Sequence, residues 1–170
     1  MKLRHEAWGA WARVEDRNGS LGKVLVALDN GELAKLGLPE SARVNVGRSA
    51  PLEVHMAVNA RCGAGCKGCY LDAVPDGAEV SRARLEEELS DIARHDVFTV
   101  AFGGGEPTLR PDLGDLADYA RGLGLTPVVT TSGLGLSEAK LAALSRFEQV
   151  NVSLDGVGGA YEAVRGFDES

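Results

Sequence analysis

The chain has 170 residues, of which 44% are hydrophobic, enough for one domain with a real core plus a small appendage and too few to promise two full domains. Its 18 Lys and Arg stand against 25 Asp and Glu, a formal net charge of -7, and no run of basic residues interrupts that balance, which argues against nucleic acid as a partner. No window is apolar enough to cross a bilayer, and "MKLRHEAWGAWARVEDRNG" at the start lacks the apolar stretch of a secretion signal, so the expected location is cytoplasmic, away from membranes.

In chain order, residues 5–16 and 22–28 read as two strands joined by a tight turn at Asn18-Gly19. A short helix in "NGELAKLGL" and a strand at "ARVNV" follow, and "GRSAP" marks a break. Residues 1–50 are therefore a small β-rich appendage, and residues 51–170 a second region of different texture. There "LEVHMAV" predicts a strand, and "SRARLEEELSDIARH" a helix capped by Ser81 with Leu85, Leu89, Ile92 and Ala93 on one face. "VFTVAF" is a buried strand. "DLGDLADYARGLG" is a helix burying Leu113, Leu116, Ala117, Ala120 and Leu123, with Gly124 as its stop. "TPVVTTS", "LSEAKLAALSRF", "EQVNVSL" and "GGAYEAVRG" continue as strand, helix, strand and helix. About four strand-helix units in succession predict an α/β fold with parallel strands, either an open sheet or an arc of a barrel.

In such folds ligands collect at the carboxyl ends of the strands. The unusual segments all fall there: "CGAGCKGCY" after the first core strand, "GGGEP" after the second, "TTSG" after the third and "SLDG" after the fourth. The chain's 22 glycines, about twice average usage, fit loops that approach a ligand closely.

All three cysteines, Cys62, Cys66 and Cys69, lie in the first of these loops, spaced C-x3-C-x2-C. In a reducing cytosol such a cluster reads as a metal or redox site, and soft thiolates select zinc or iron-sulfur centres. A structural zinc site wants four ligands, and the nearest imidazole, His55, belongs to the preceding strand. A 4Fe-4S cube held by three cysteines leaves one iron open to a small molecule. A zinc site completed by a histidine or another subunit is the alternative for the triad; for "GGGEP", Ser153 and Asp155 it is ordinary turn chemistry, and for Arg165 a helix-end cation.

These residues resemble the radical S-adenosylmethionine enzymes. The cysteine loop, the Gly104-Gly105-Glu106-Pro107 segment and the Ser153, Asp155, Gly156 strand ending match that family's motifs in order and place over roughly residues 51–167. The resemblance implies a partial (β/α) barrel, a 4Fe-4S cluster on Cys62, Cys66 and Cys69, and S-adenosylmethionine on the fourth iron, cleaved reductively to methionine and a 5'-deoxyadenosyl radical. It further implies that Glu106 meets the methionine ammonium, that Ser153 bonds the ribose or carboxylate, that Arg165 meets the carboxylate, and that Gly104, Gly105, Pro107, Ser132, Asp155 and Tyr70 belong to the cosubstrate site. An electron donor such as flavodoxin or ferredoxin is implied as a partner.

Three features depart from the family pattern. Gly68 stands where an aromatic residue usually packs beside the adenine, with Tyr70 on the other side of Cys69; Ser132 replaces a common Asn; and about four strand-helix units stand where about six are usual, which implies a core incomplete at its C-terminal side. "SLDG...YEAVRG" looks most like members that modify peptides or proteins. The alternatives are a cofactor-biosynthesis member resembling the molybdenum-cofactor cyclase, acting on a small molecule, and a non-catalytic metal- or cluster-binding module.

Overall fold

A computed structural model describes residues 2–15, 23–39 and 50–165, and the chain divides into two compact units, residues 1–51 and 52–170. In the first unit β1 (Lys2–Glu6), β2 (Gly9–Glu15) and β3 (Lys23–Asp29) form an antiparallel sheet in the order β1-β2-β3. The single strand read over residues 5–16 is thus two strands folded back at Ala7-Trp8, with Glu6 opposite Gly9. Gly9 makes this turn possible, because a Cβ there would lie 2.1 Å from the Leu28 carbonyl oxygen on β3. The Trp8 and Trp11 rings meet edge to face at 5.7 Å, the hairpin packing that half-exposed indoles favour.

Helix α1 (Asn30–Lys35) starts with a capping box: the Glu32 amide donates to Asp29 Oδ1 at 2.8 Å, and the Asp29 amide donates to Glu32 Oε2 at 2.8 Å. Such reciprocal caps stabilise a helix start by about 1 kcal/mol. Among the described residues of this unit, Ala10, Ala12 and Leu33 are the fully buried hydrophobic ones. The turn expected at Asn18-Gly19 and the strand expected at "ARVNV" lie outside the described residues, as does the end of the chain from Gly166.

The second unit alternates strand and helix: β4 (Glu53–Ala57), α2 (Arg82–Arg94), β5 (Thr99–Gly103), α3 (Leu113–Gly122), β6 (Thr126–Thr131), α4 (Glu138–Leu144), β7 (Gln149–Val152) and α5 (Gly159–Arg165). The four strands form one parallel sheet in the order β4-β5-β6-β7. Each helix between them supplies the length that a parallel crossover needs. As the spacing predicts, Leu85 and Leu89 of α2 and Leu113, Leu116, Ala117 and Ala120 of α3 are fully buried. Ile92, Ala93 and Leu123, at the helix ends, are only half-buried.

Val100 and Phe102 of β5 and Val129 of β6 are also fully buried, and Phe102 meets Phe147 edge to face at 5.4 Å. Burying each large side chain of this kind stabilises the fold by about 1.5–3 kcal/mol. All four residues of β7 are exposed. Among the described residues no helix is long and apolar enough to cross a membrane.

Candidate functional site

The segment after β4 returns on itself before α2 begins. The Ala60 amide donates to the Ala78 carbonyl at 2.7 Å, the Cys62 amide to Val74 at 2.9 Å, and the Val80 amide to Val58 at 3.3 Å. A buried cation locks the base of this loop. Arg110 Nη1 donates to the Val58 and Val80 carbonyls at 3.2 and 2.6 Å, while its Nε and Nη2 hold both Asp112 oxygens at 3.0 and 2.8 Å. The planar guanidinium fork suits this combination of carboxylate and carbonyl acceptors.

The glycine loop after β5 lies flat against the same segment. The Gly105 amide donates to the Asn59 carbonyl at 2.9 Å and the Glu106 amide to the Arg61 carbonyl at 2.8 Å, while Asn59 Nδ2 donates to the Glu106 carbonyl at 3.1 Å. A Cβ at Gly104 would sit 2.3 Å from the Asn59 oxygen, and one at Gly105 2.4 Å from the Arg61 oxygen. Backbone packed on backbone at this distance leaves room only for glycine.

Glu106 is almost fully buried. Its Oε1 accepts from the Thr108 amide at 3.1 Å, the Thr108 hydroxyl at 2.7 Å and the Thr131 hydroxyl at 2.7 Å; its Oε2 accepts from the Ser132 amide at 2.8 Å and the Ser132 hydroxyl at 2.6 Å. Burial by itself would push this carboxyl's pKa up, but the hydrogen bonds from Ser132, Thr131 and Thr108 outweigh it and hold the pKa below the ordinary carboxylate value. The carboxylate is thereby a strap between the loop after β5 and the end of β6.

These strand ends enclose one cavity of about 410 Å³. Cys62, Cys66 and Cys69 line one side; Gly104 and Gly105 face it with their backbone, since glycine has nothing else to present; and Ser132, Ser153, Asp155, Arg165 and Tyr70 complete the set of expected residues found there. Glu106 and Pro107 differ from the expectation: both are buried and neither lines this cavity. The five donors on the Glu106 carboxylate explain the difference, because they already occupy both oxygens. Tyr70 is 83% exposed, beside the half-buried Cys69.

Several cavity residues were not singled out by the sequence: Gly103, Lys67, Thr130 and Thr131. Strand alternation in "TPVVTTS" would have pointed Thr131 and Thr130 to opposite sides, but nothing local marks Asn59, whose part is visible only across the two loops. His55 projects from β4 into solvent against Glu53 at 2.9 Å, as a strand residue.

All three thiols are free and half-buried. Cys66 Sγ lies 3.8 Å from Arg165 Nη1, and Arg165 also pairs with Asp155. Burial works against the Arg165 charge, but the contacts with Cys66 and Asp155 raise its pKa above the usual arginine value. Among the described residues no trio of His, Cys, Asp or Glu converges on a point that would hold a single ion. Three soft thiolate donors on one loop are the ligand type that iron-sulfur clusters and zinc both select.

The model of the Radical SAM superfamily matches residues 56–166. The chain belongs to the radical SAM superfamily. Over 138 residues it is 36% identical to the pre-heme d1 synthase of Dinoroseobacter shibae, a match covering 79% of this chain and 34% of that protein. Over 110 residues it is 38% identical to the PqqA peptide cyclase of Rhodopseudomonas palustris, covering 62% of this chain and 29% of the cyclase. The crystal structure of Streptococcus suis SuiB bound to S-adenosylmethionine superposes with a TM-score of 0.69 at 18% identity, covering 98% of this chain and 49% of SuiB. The four-stranded parallel arc is therefore a partial β/α barrel of the radical SAM type. This radical SAM chain spans about a third of the length of the curated relatives it matches and about half of the solved one.

Proposed function

We propose that the chain carries the cluster and cosubstrate site of a radical SAM enzyme acting on a peptide or protein. The observation that carries this reading is the convergence of three thiols, a glycine-backbone wall and the strand-end residues Ser132, Ser153 and Asp155 on one cavity. Cys62, Cys66 and Cys69 would hold a 4Fe-4S cluster. When bound, that cluster supplies the electron that cleaves S-adenosylmethionine to methionine and a 5'-deoxyadenosyl radical. The protein's part is to bind and orient.

The backbone of Gly104 and Gly105 is offered to the amino end of the cosubstrate, with Glu106 holding that wall from behind. Ser153 can donate to ribose or carboxylate. Arg165 Nε, buried without a partner among the described residues, is a free donor for the carboxylate. Residues 1–50 and 51–170 are taken as separate domains, the location as cytoplasmic, and a flavodoxin or ferredoxin as electron donor.

The peptide reading is supported by the likeness to a PqqA peptide cyclase and to SuiB, which was also solved with its precursor peptide SuiA. The likeness to a pre-heme d1 synthase favours a second reading, a small-molecule substrate in cofactor biosynthesis. Anaerobic reconstitution with iron and sulfide, followed by electron paramagnetic resonance of the reduced protein, tests the site. A 4Fe-4S signal that changes on adding S-adenosylmethionine is expected; bound zinc overturns the assignment in favour of a non-catalytic metal-binding module, and uptake of no metal at all overturns both.

A further inference from the structure

The three nitrogens of Arg165 have three different surroundings. Nη1 lies 3.8 Å from Cys66 Sγ, within reach of a sulfur hydrogen bond. Nη2 pairs with Asp155 Oδ2. Nε is buried with no partner among the described residues. The guanidinium does not reach the cysteine loop by itself, because the neighbouring backbone makes the same connection: the Lys67 amide donates to the Val164 carbonyl at 2.9 Å. The last turn of α5 is thus joined to the cysteine loop at two adjacent positions on each side. By contrast, among the described residues Cys62 Sγ receives only a backbone amide, that of Ala64 at 3.5 Å. Cys66 is the thiol with a cation placed on its sulfur.

We infer that Arg165 is a positioning residue for the cluster, holding the Cys66 sulfur by a hydrogen bond and raising the cluster's reduction potential, with Asp155 fixing the guanidinium's direction. This rests on the reading above, that Cys66 is a cluster ligand. The physical reason is the charge of the two redox states. Reduction adds one electron, delivered by an external donor protein, to a centre that is already anionic through its thiolates. An N–H donor on a ligand sulfur, and a positive charge beside it, stabilise the more negative state. Asp155 opposes this effect, but its side chain is 46% exposed against 16% for Arg165. Water therefore screens the carboxylate more than the guanidinium, and the cation dominates at the sulfur.

The test compares the full chain with its Arg165→Gln, Arg165→Lys and Asp155→Asn variants, each reconstituted anaerobically with iron and sulfide. The reduced fraction is followed by electron paramagnetic resonance against applied potential, in the absence of S-adenosylmethionine. At the potential where the unaltered cluster is half reduced, Arg165→Gln should lower the ratio of reduced to oxidised cluster by about tenfold, equivalent to about 59 mV for one electron. Arg165→Lys, which keeps the charge and loses the fork, should fall between, and Asp155→Asn should not lower the ratio.

Loaded Gln and Lys variants that titrate with the unaltered protein, while only the response to added S-adenosylmethionine changes, would show that Arg165 serves the cosubstrate alone and would overturn the inference. If Arg165→Gln does not retain iron and sulfide, the Lys variant decides by the same criterion; loss of the cluster in both assigns Arg165 a purely structural part and also overturns it. An unaltered protein that takes up no cluster sinks the underlying reading itself, an outcome distinguishable from an assembled cluster with an unmoved potential.

Discussion

The Glu106 carboxylate accepts the Thr131 hydroxyl at 2.7 Å across 25 positions of sequence, both groups being buried. With the Ser132 amide and hydroxyl on its other oxygen, this joins two neighbouring strand ends through a single side chain. Glu106→Gln should therefore destabilise the fold by about 3 kcal/mol, since the amide supplies a donor where donors already converge and removes the charge that strengthens each bond. Urea denaturation of both proteins measures the difference, and a change below about 0.5 kcal/mol would contradict the strap.

The same carboxylate makes stability depend on acidity in a defined direction. Its folded-state pKa lies below the ordinary value, so its contribution is fully present above the unfolded value of about 4.3 and is lost as pH falls through the lower folded value. The gap in unfolding free energy between the native chain and Glu106→Gln should be widest near neutrality and narrow steadily below pH about 4. A gap that widens on acidification would reverse the sign assigned here.

Each cysteine can be removed alone. Cys62→Ala, Cys66→Ala and Cys69→Ala should each abolish iron and sulfide incorporation while leaving the far-ultraviolet circular dichroism of the chain intact, because none of the three thiols is fully buried. Iron and acid-labile sulfide analysis checks this, and a variant that keeps the full content of both removes that residue from the ligand set.

The glycine wall gives a steric contrast. Gly104→Ala and Gly105→Ala drive a Cβ into backbone oxygens at 2.3 and 2.4 Å, which the tied segment Asn59 to Arg61 cannot yield, so each should cost about 2 kcal/mol or more and weaken S-adenosylmethionine binding. Gly63→Ala, where a Cβ meets nothing within 4 Å, should leave stability within about 0.5 kcal/mol. Thermal melts and calorimetric titration with S-adenosylmethionine compare the three.

Arg110 offers a test away from the cavity. Arg110→Met removes the donor that holds Val58, Val80 and Asp112 and should destabilise by about 3 kcal/mol, while also loosening the base of the cysteine loop. Faster proteolysis within residues 59–80 is the accompanying sign; a variant as stable and as resistant as the native chain would refute the clasp.

Legibility in the sequence followed the range of the interaction. Helices α2 and α3 announced themselves through apolar spacing, and the strand β5 through its β-branched run, because each signal lies within one element. The Ser81 cap was visible for the same reason, its hydroxyl accepting from Arg84 three residues on. The first hairpin was not, because its turn at Ala7-Trp8 carries no usual turn residues and depends on Gly9 meeting β3. At the site, spacing and strand-end position marked the cysteines, the glycine loop, Ser153, Asp155 and Arg165. The strap made by Glu106 was not legible, because its donors Thr131 and Ser132 come from a strand that only folding brings alongside. Asn59 left no signal, since its side chain donates to the carbonyl of a distant segment, and the part of Arg110 in the loop was equally hidden, since beyond its neighbour Asp112 it donates to the distant Val58 and Val80 carbonyls.

The strap has a consequence for recognition. Through its backbone amide Glu106 is bound to Arg61, the residue before Cys62, and through its carboxylate to Ser132, so facing walls of the cavity are tied together at one residue. Neither wall can shift without carrying the other. The conformational entropy of arranging them is lost when the chain folds, and a ligand entering the cavity meets a preorganised surface whose affinity is not eroded by ordering it.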